Sequence, residues 1–85
     1  MMNVYYLTFR SVTPAQRGEK LLRKMGFRCV LQRTPRWMEE KCCGYCLRLP
    51  TDRIREAAGV LQRAGIPYRK VYLLNEGGDT EEIPL

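Results

Sequence analysis

The feature that most constrains how this 85-residue chain folds is a seven-residue pattern that occurs twice. Residues 21–27 and 60–66 each contain an apolar pair, a polar pair, an apolar residue, a glycine and a further apolar residue. A glycine directly after an amphipathic run is typical of a left-handed helix C-terminus. The repeat therefore predicts two helices, each followed at once by a strand.

Local patterns give the expected bounds of these elements. For the first helix, Thr13 is expected as the N-cap, with Pro14 at the first helical position and Gln16 completing a capping box. Thr51 is the expected N-cap of the second helix. β-branched and aromatic runs predict the strands. The expected strands are residues 3–10, 27–32, 45–49 and 66–74, and the helices end at Gly26 and Gly65.

This order is β-α-β-β-α-β, and right-handed crossovers then predict an α+β, ferredoxin-like sandwich. Its four-stranded antiparallel sheet would carry both helices on one face. Val4, Tyr6, Tyr68 and Tyr72 either line the open face, as a dimer contact or a base-stacking platform, or belong to the core. One sequence does not decide between these alternatives.

The length of the chain fits one small domain, expected over residues 1–75, with an acidic and flexible tail over residues 76–85. A domain of this size rarely encloses a substrate cavity, so we expect a stoichiometric carrier or binding domain rather than an enzyme. The sequence shows neither a signal peptide nor a long apolar run, which favours a cytoplasmic protein without a membrane segment.

The charge of the chain is strongly basic and unevenly placed. The net charge is +6, but four of the nine acidic residues lie in the last ten positions. Residues 1–75 contain 15 basic and 5 acidic side chains, a net charge of +10, and 11 of the basic residues are arginines. Such a body can bind nucleic acid or an acidic protein face, or its cations can simply be solvated.

Four cysteines in so short a chain require a separate explanation. Cys29 stands alone in an apolar stretch and is expected to be a small buried residue. The others, Cys42, Cys43 and Cys46, fall within five residues. A metal site within one chain is not expected, because the chain has no histidine and zinc sites need four ligands, whereas a site shared across a dimer stays open. A Cys-x-x-C redox pair is a weak interpretation, because this one leads into a strand rather than a helix.

A single working thiol is the remaining interpretation, and it favours Cys43. Gly44 leaves room for a large partner to approach the sulfur. Arg33, Arg36 and Lys41 are close in sequence, and nearby cations favour the nucleophilic thiolate. Such a thiolate can take a terminal sulfur from a persulfide by the chemistry of disulfide exchange, without any cofactor.

Five segments together resemble one family of small domains. The chain is similar to the selenium/sulfur carrier protein-like family from about Asn3 to Leu73. The Thr-Pro-Arg segment and the Cys-Gly pair at this separation are the most specific part of the resemblance. The resembling segments are residues 5–9, 19–22, 34–36, 43–49 and 64–68.

The resemblance implies a carrier whose cysteine is Cys43, with Gly44 as its small neighbour. It implies partners that donate and accept the chalcogen, such as a cysteine desulfurase and an acceptor enzyme. Cys42 and Cys46, which depart from the family pattern, either resolve a persulfide or pack in the domain. Partner contacts are expected at Gly44, at Lys41, at Trp37, which either docks a donor or caps the core, and in the facing loop of Thr34, Pro35 and Arg36.

Two alternatives from other classes stay open at this point. One is a basic nucleic-acid-binding module, although the strands lack the signature of the RNA-recognition sheet. The other is a regulatory or dimerisation domain that uses the open sheet face to form a homodimer.

Overall fold

The computed structural model describes residues 3–33, 44–74 and 80–84. It confirms the predicted α+β class, with two helices packed against one antiparallel sheet. The elements are β1 (Val4–Phe9), α1 (Val12–Lys24), β2 (Val30–Arg33), β3 (Tyr45–Pro50), α2 (Ile54–Arg63), β4 (Val71–Leu74) and β5 (Thr80–Glu82).

The sheet has five strands in the order β2-β3-β1-β4-β5, so the predicted count of four was wrong. The additional strand comes from the acidic segment predicted as a tail. Thr80 pairs with Leu74 and Glu82 pairs with Tyr72. Beyond β5, the Ile83 amide donates to the Val71 carbonyl at 2.7 Å. The sequence Thr-Glu-Glu has no apolar alternation to predict a strand, and β5 is held instead by its backbone pairing with β4.

Both helices pack on one face of the sheet, as predicted. Leu7 and Phe9 of β1 lie on this face with Leu47 and Leu49 of β3, and all four side chains are fully buried. The helix residues Ala15, Leu22, Ala57 and Leu61 are fully buried in the same core, and Ile54, Ile66 and Val71 extend it.

The opposite face of the sheet carries a smaller cluster. Tyr6 and Cys46 are buried there, and Val4, Tyr72 and Leu74 pack against them. Tyr68 does not join this face. It packs against the helix-side core, and its hydroxyl accepts a hydrogen bond from Gln62 Nε2 at 2.9 Å. The predicted strand began at residue 66, whereas β4 begins at Val71, so strand alternation does not apply to Tyr68.

The ends of both helices follow the repeated pattern. Gly26 and Gly65 have φ values of 92° and 71°, as predicted for left-handed caps. After α1, the Phe27 amide donates to the Leu22 carbonyl at 2.9 Å and the Gly26 amide donates to Arg23 at 3.1 Å. Ile66 and Gly65 repeat these two bonds at the end of α2. The two sequence copies therefore form two Schellman motifs.

The starts of both helices differ from the prediction. α1 begins at Val12 with Ser11 as N-cap, so Thr13 lies inside the first turn and no side-chain cap forms. α2 begins at Ile54 with Arg53 as N-cap. Thr51 still accepts a hydrogen bond from the Arg53 amide at 3.1 Å. Ser and Thr can satisfy backbone amides from several positions before a helix, which makes the exact cap hard to predict.

The outer edge of β2 is occupied by side chains of α1. Glu19 Oε2 accepts a hydrogen bond from the Leu31 amide at 3.1 Å. The Arg23 guanidinium donates to the Cys29 carbonyl through two nitrogens, at 3.0 and 3.2 Å, and lies 3.6 Å from Glu19. The described part of the chain contains no helix long and apolar enough to cross a membrane.

Candidate functional site

The predicted carrier cysteine and most of its predicted neighbours lie outside the described residues. The structure describes Gly44 and Cys46 and, of the predicted nearby cations, Arg33. These residues define where the Cys-Gly pair joins the fold. The predicted site residues outside the description are Thr34, Pro35, Arg36, Trp37, Lys41, Cys42 and Cys43.

Gly44 is the residue through which the candidate site enters the sheet. It is buried and immediately precedes β3. The first residue of β3, Tyr45, pairs with Arg33 of β2 on one side and with Phe9 of β1 on the other. Gly44 therefore joins a strand that is hydrogen-bonded on both sides, which fixes the point at which the chain enters β3.

Cys46 is held inside the sheet rather than at its surface. Its side chain is fully buried in the cluster with Tyr6. Thr8 and Gln32 are its cross-strand neighbours, and its Sγ donates weakly to the Arg33 carbonyl at 4.0 Å. Resolving a persulfide with Cys46 would therefore require this thiol to leave its buried position.

Cys29 lies on the helix face of the sheet and is also a free thiol. Its side chain is 3% exposed, which confirms the prediction of a small buried residue. Its Sγ donates to the Glu19 carbonyl at 3.6 Å. Burial raises the pKa of the Cys29 thiol, and the hydrogen bond with Arg23 only partly opposes this. A thiol of this kind is a poor nucleophile.

Three arginines lie in or next to strands at the sheet end at which Gly44 lies. Arg33 ends β2, and Arg10 follows Phe9, the β1 partner of Tyr45. The Arg69 amide donates to the Thr8 carbonyl at 2.7 Å, which places Arg69 beside the same end of β1. All three arginines are exposed.

Sequence reasoning found Arg33 but missed Arg10 and Arg69. These two residues are far from Cys43 along the chain, and only the strand register brings them to this end of the sheet. Exposed cations in general favour a nearby thiolate and attract anionic groups.

A cavity lies elsewhere in the described residues, between the start of β4 and β5. It has a volume of about 610 Å³ and is lined by Gln62, Tyr68, Lys70 and Glu82 among others. Lys70 Nζ lies 3.7 Å from Glu82 Oε1 in this cavity. Across the described segments, no three His, Cys, Asp or Glu side chains are grouped so that they could hold a metal ion.

A comparison with protein families decides the family of the chain. The family model described as "Putative Se/S carrier protein-like" matches residues 4–73. The chain belongs to this family. The match includes the Cys43-Gly44 pair and ends before β5. The family description supports a carrier of selenium or sulfur, at that coarse level. Comparisons with curated proteins and with solved structures gave no match.

Proposed function

We propose that this protein carries sulfur or selenium on Cys43 as a persulfide or selenopersulfide. The observation that carries the proposal is the family match, which spans the Cys-Gly pair and nearly the whole fold. The exposed arginines Arg10, Arg33 and Arg69 support it, since they lie at the sheet end at which the chain enters β3. Cations there would favour the reactive thiolate.

The proposed loading step is a redox-neutral exchange. The Cys43 thiolate attacks the outer sulfur of a persulfide on the donor. A sulfur–sulfur bond forms on Cys43 while the donor's sulfur–sulfur bond breaks, and the donor keeps the electron pair as its own thiolate. The proton of the terminal sulfur stays with that sulfur. Delivery to an acceptor thiolate is the same exchange in reverse.

The proposed partners follow from this chemistry. A donor must present a persulfide, as a cysteine desulfurase does, and an acceptor enzyme must use it. In this proposal the protein acts stoichiometrically in the cytoplasm, without a cofactor of its own. A small domain suits the role, because its thiol must enter the active sites of other proteins.

We also infer that residues 4–74 form a ferredoxin-like frame. The support is the order β2-β3-β1-β4 in an antiparallel sheet, with both helices on one face. In this interpretation β5 is an addition to the edge of the frame. The candidate site then belongs to the part of the chain that connects β2 to β3.

The experiment that tests the carrier proposal is loading by a cysteine desulfurase with cysteine, followed by intact mass measurement. We expect the wild type to gain the mass of one sulfur atom, and Cys43→Ser to gain none. Cys29→Ser and Cys46→Ser are matched controls, because both thiols are buried, and we expect both to load normally. Equal loading of Cys43→Ser would contradict the assignment.

A further inference from the structure

A second basic region lies away from the candidate site, beside β2. It is a groove of about 430 Å³, lined by Arg23, Arg28, Cys29, Val30, Arg48 and Pro50 among others. We call it the β2 groove. All of its lining residues belong to the described part of the chain, and none of them is a predicted site residue.

Two of the three arginines in the β2 groove form no ion pair among the described residues. Arg23 is engaged by Glu19 and by the Cys29 carbonyl. Arg28 is exposed and Arg48 is half-buried, and neither forms an ion pair with an acidic residue in the described segments. Two arginines that share one groove without a carboxylate form a site for an anionic group.

The groove also has an apolar side without an accessible aromatic ring. Val30 is 49% exposed and pairs with Arg48 across β2 and β3. Phe27 lines the groove but is only 6% exposed, and the Arg53 guanidinium lies 4.7 Å from its ring centre. Single-stranded nucleic acid usually needs exposed rings on which bases stack. Carboxylates alternating with aliphatic side chains fit this surface better.

We propose that the β2 groove binds an acidic, extended segment of a partner protein. Arg28 and Arg48 bind carboxylates of the segment, and Val30 contacts an aliphatic side chain. The segment does not extend the sheet, because Glu19 and Arg23 already occupy the Leu31 amide and the Cys29 carbonyl on the outer edge of β2. Recognition therefore depends on side chains.

The groove lies close enough to the candidate site for one partner to reach both. Arg48 is four residues after Gly44 on β3, which corresponds to about 13 Å along a strand. A donor or acceptor held at the groove could therefore present its sulfur at Cys43. Only the identification of this partner as a sulfur donor or acceptor rests on the proposed function. Binding of the acidic segment does not require the thiol.

The probe is a fluorescent peptide of about 10 residues in which Glu and Val alternate, with a control peptide in which Gln replaces Glu. Anisotropy titrations of the full chain should show binding of the Glu peptide that weakens at about 0.5 M salt, and at least about tenfold weaker binding of the Gln peptide. The double variant Arg28→Glu/Arg48→Glu should bind the Glu peptide at least about tenfold more weakly than wild type. Arg17→Glu, an exposed charge reversal on α1 outside the groove, should bind it within about twofold of wild type.

Thermal unfolding checks that each variant is folded, and Arg28→Glu alone replaces the double variant if that one is not. No binding by wild type, an equal loss in Arg17→Glu, or tighter binding of a single-stranded RNA of the same charge would overturn the proposal. Loading of Cys43 from a small-molecule persulfide is measured in parallel. Loading should be unchanged in the double variant. Failure of the groove proposal would therefore appear in peptide binding, and failure of the carrier proposal would appear in loading.

Discussion

The surroundings of the sulfur atoms distinguish the two cysteines that the structure describes. Cys29 is buried among the helix-side residues, and Cys46 is buried on the opposite face of the sheet. Because they lie on different faces, these two thiols cannot act as a pair without rearrangement of the sheet. The proposed exchange chemistry stays with Cys43, which precedes Gly44 in the sequence just before the start of β3.

Because the pKa of Cys29 is raised, we expect the protein to lose stability at alkaline pH. Burial favours the neutral thiol, so the folded pKa lies above the ordinary value of 9.0. The contribution of this thiol is fully present below the unfolded pKa and is lost as pH rises through the folded pKa. We expect the free energy of unfolding to fall more steeply between about pH 8 and 10 in wild type than in Cys29→Ala. Urea denaturation at several pH values in this range measures the free energy of unfolding of both proteins. An equal dependence on pH in wild type and Cys29→Ala would contradict the prediction.

At the scale of elements, two helical glycines are expected to respond differently to the same change. An added Cβ at Gly18 would lie 3.3 Å from Leu47 Cδ1 and 3.3 Å from Leu61 Cδ2. Among the described residues, an added Cβ at Gly59 would meet only Arg63 Nη2, at 3.7 Å.

Alanine favours a helix over glycine by about 0.5–1 kcal/mol, so we expect Gly59→Ala to stabilise the protein by that amount. Gly18→Ala should be at least about 1 kcal/mol less favourable, because the core must shift to admit it. Chemical denaturation of both variants measures this, and an equal gain would show that the helix–sheet contact is looser than described.

The edge of β2 is expected to depend on Glu19. Glu19→Ala removes the acceptor of the Leu31 amide and should destabilise the protein by about 1–2 kcal/mol. It also exposes an unpaired strand edge, so aggregation during refolding should increase. Glu56→Ala is the matched control, since it removes only an exposed ion pair with Arg53 and should have a smaller effect. Light scattering and denaturation measure both effects, and similar results for the two variants would exclude a special role for Glu19.

At the scale of the whole molecule, residues 1–75 were predicted to form the domain without the acidic segment. We expect a chain that ends at residue 75 to unfold cooperatively, with about 1–2 kcal/mol less stability. The loss reflects Ile83, which packs against the core, and the pairing of β5 with β4. Circular dichroism during thermal unfolding tests this. A non-cooperative transition would show that β5 belongs to the folding unit.

The sequence predicted the parts of the molecule that depend on local patterns. Gly26 and Gly65 follow amphipathic runs, and both helix ends formed as expected. β5 was missed because long-range pairing, rather than its own residues, makes it a strand. Arg10 and Arg69 were missed for the same reason, since only the pairing of β1 with its neighbours brings them to the sheet end at which Gly44 lies. Local signals thus give the elements, while the surroundings of the site depend on how strands pair.

The most direct test of the central claim is to locate the transferred sulfur within the chain. Wild-type protein is loaded by a cysteine desulfurase with isotopically labelled cysteine, persulfides are trapped by alkylation, and peptides are fragmented in a mass spectrometer. Fragmentation between Cys42 and Cys43 separates the two adjacent thiols. The carrier assignment predicts that the labelled sulfur lies on Cys43 and is absent from Cys29. Label mainly on Cys42 or Cys46, or no label at all, would contradict it.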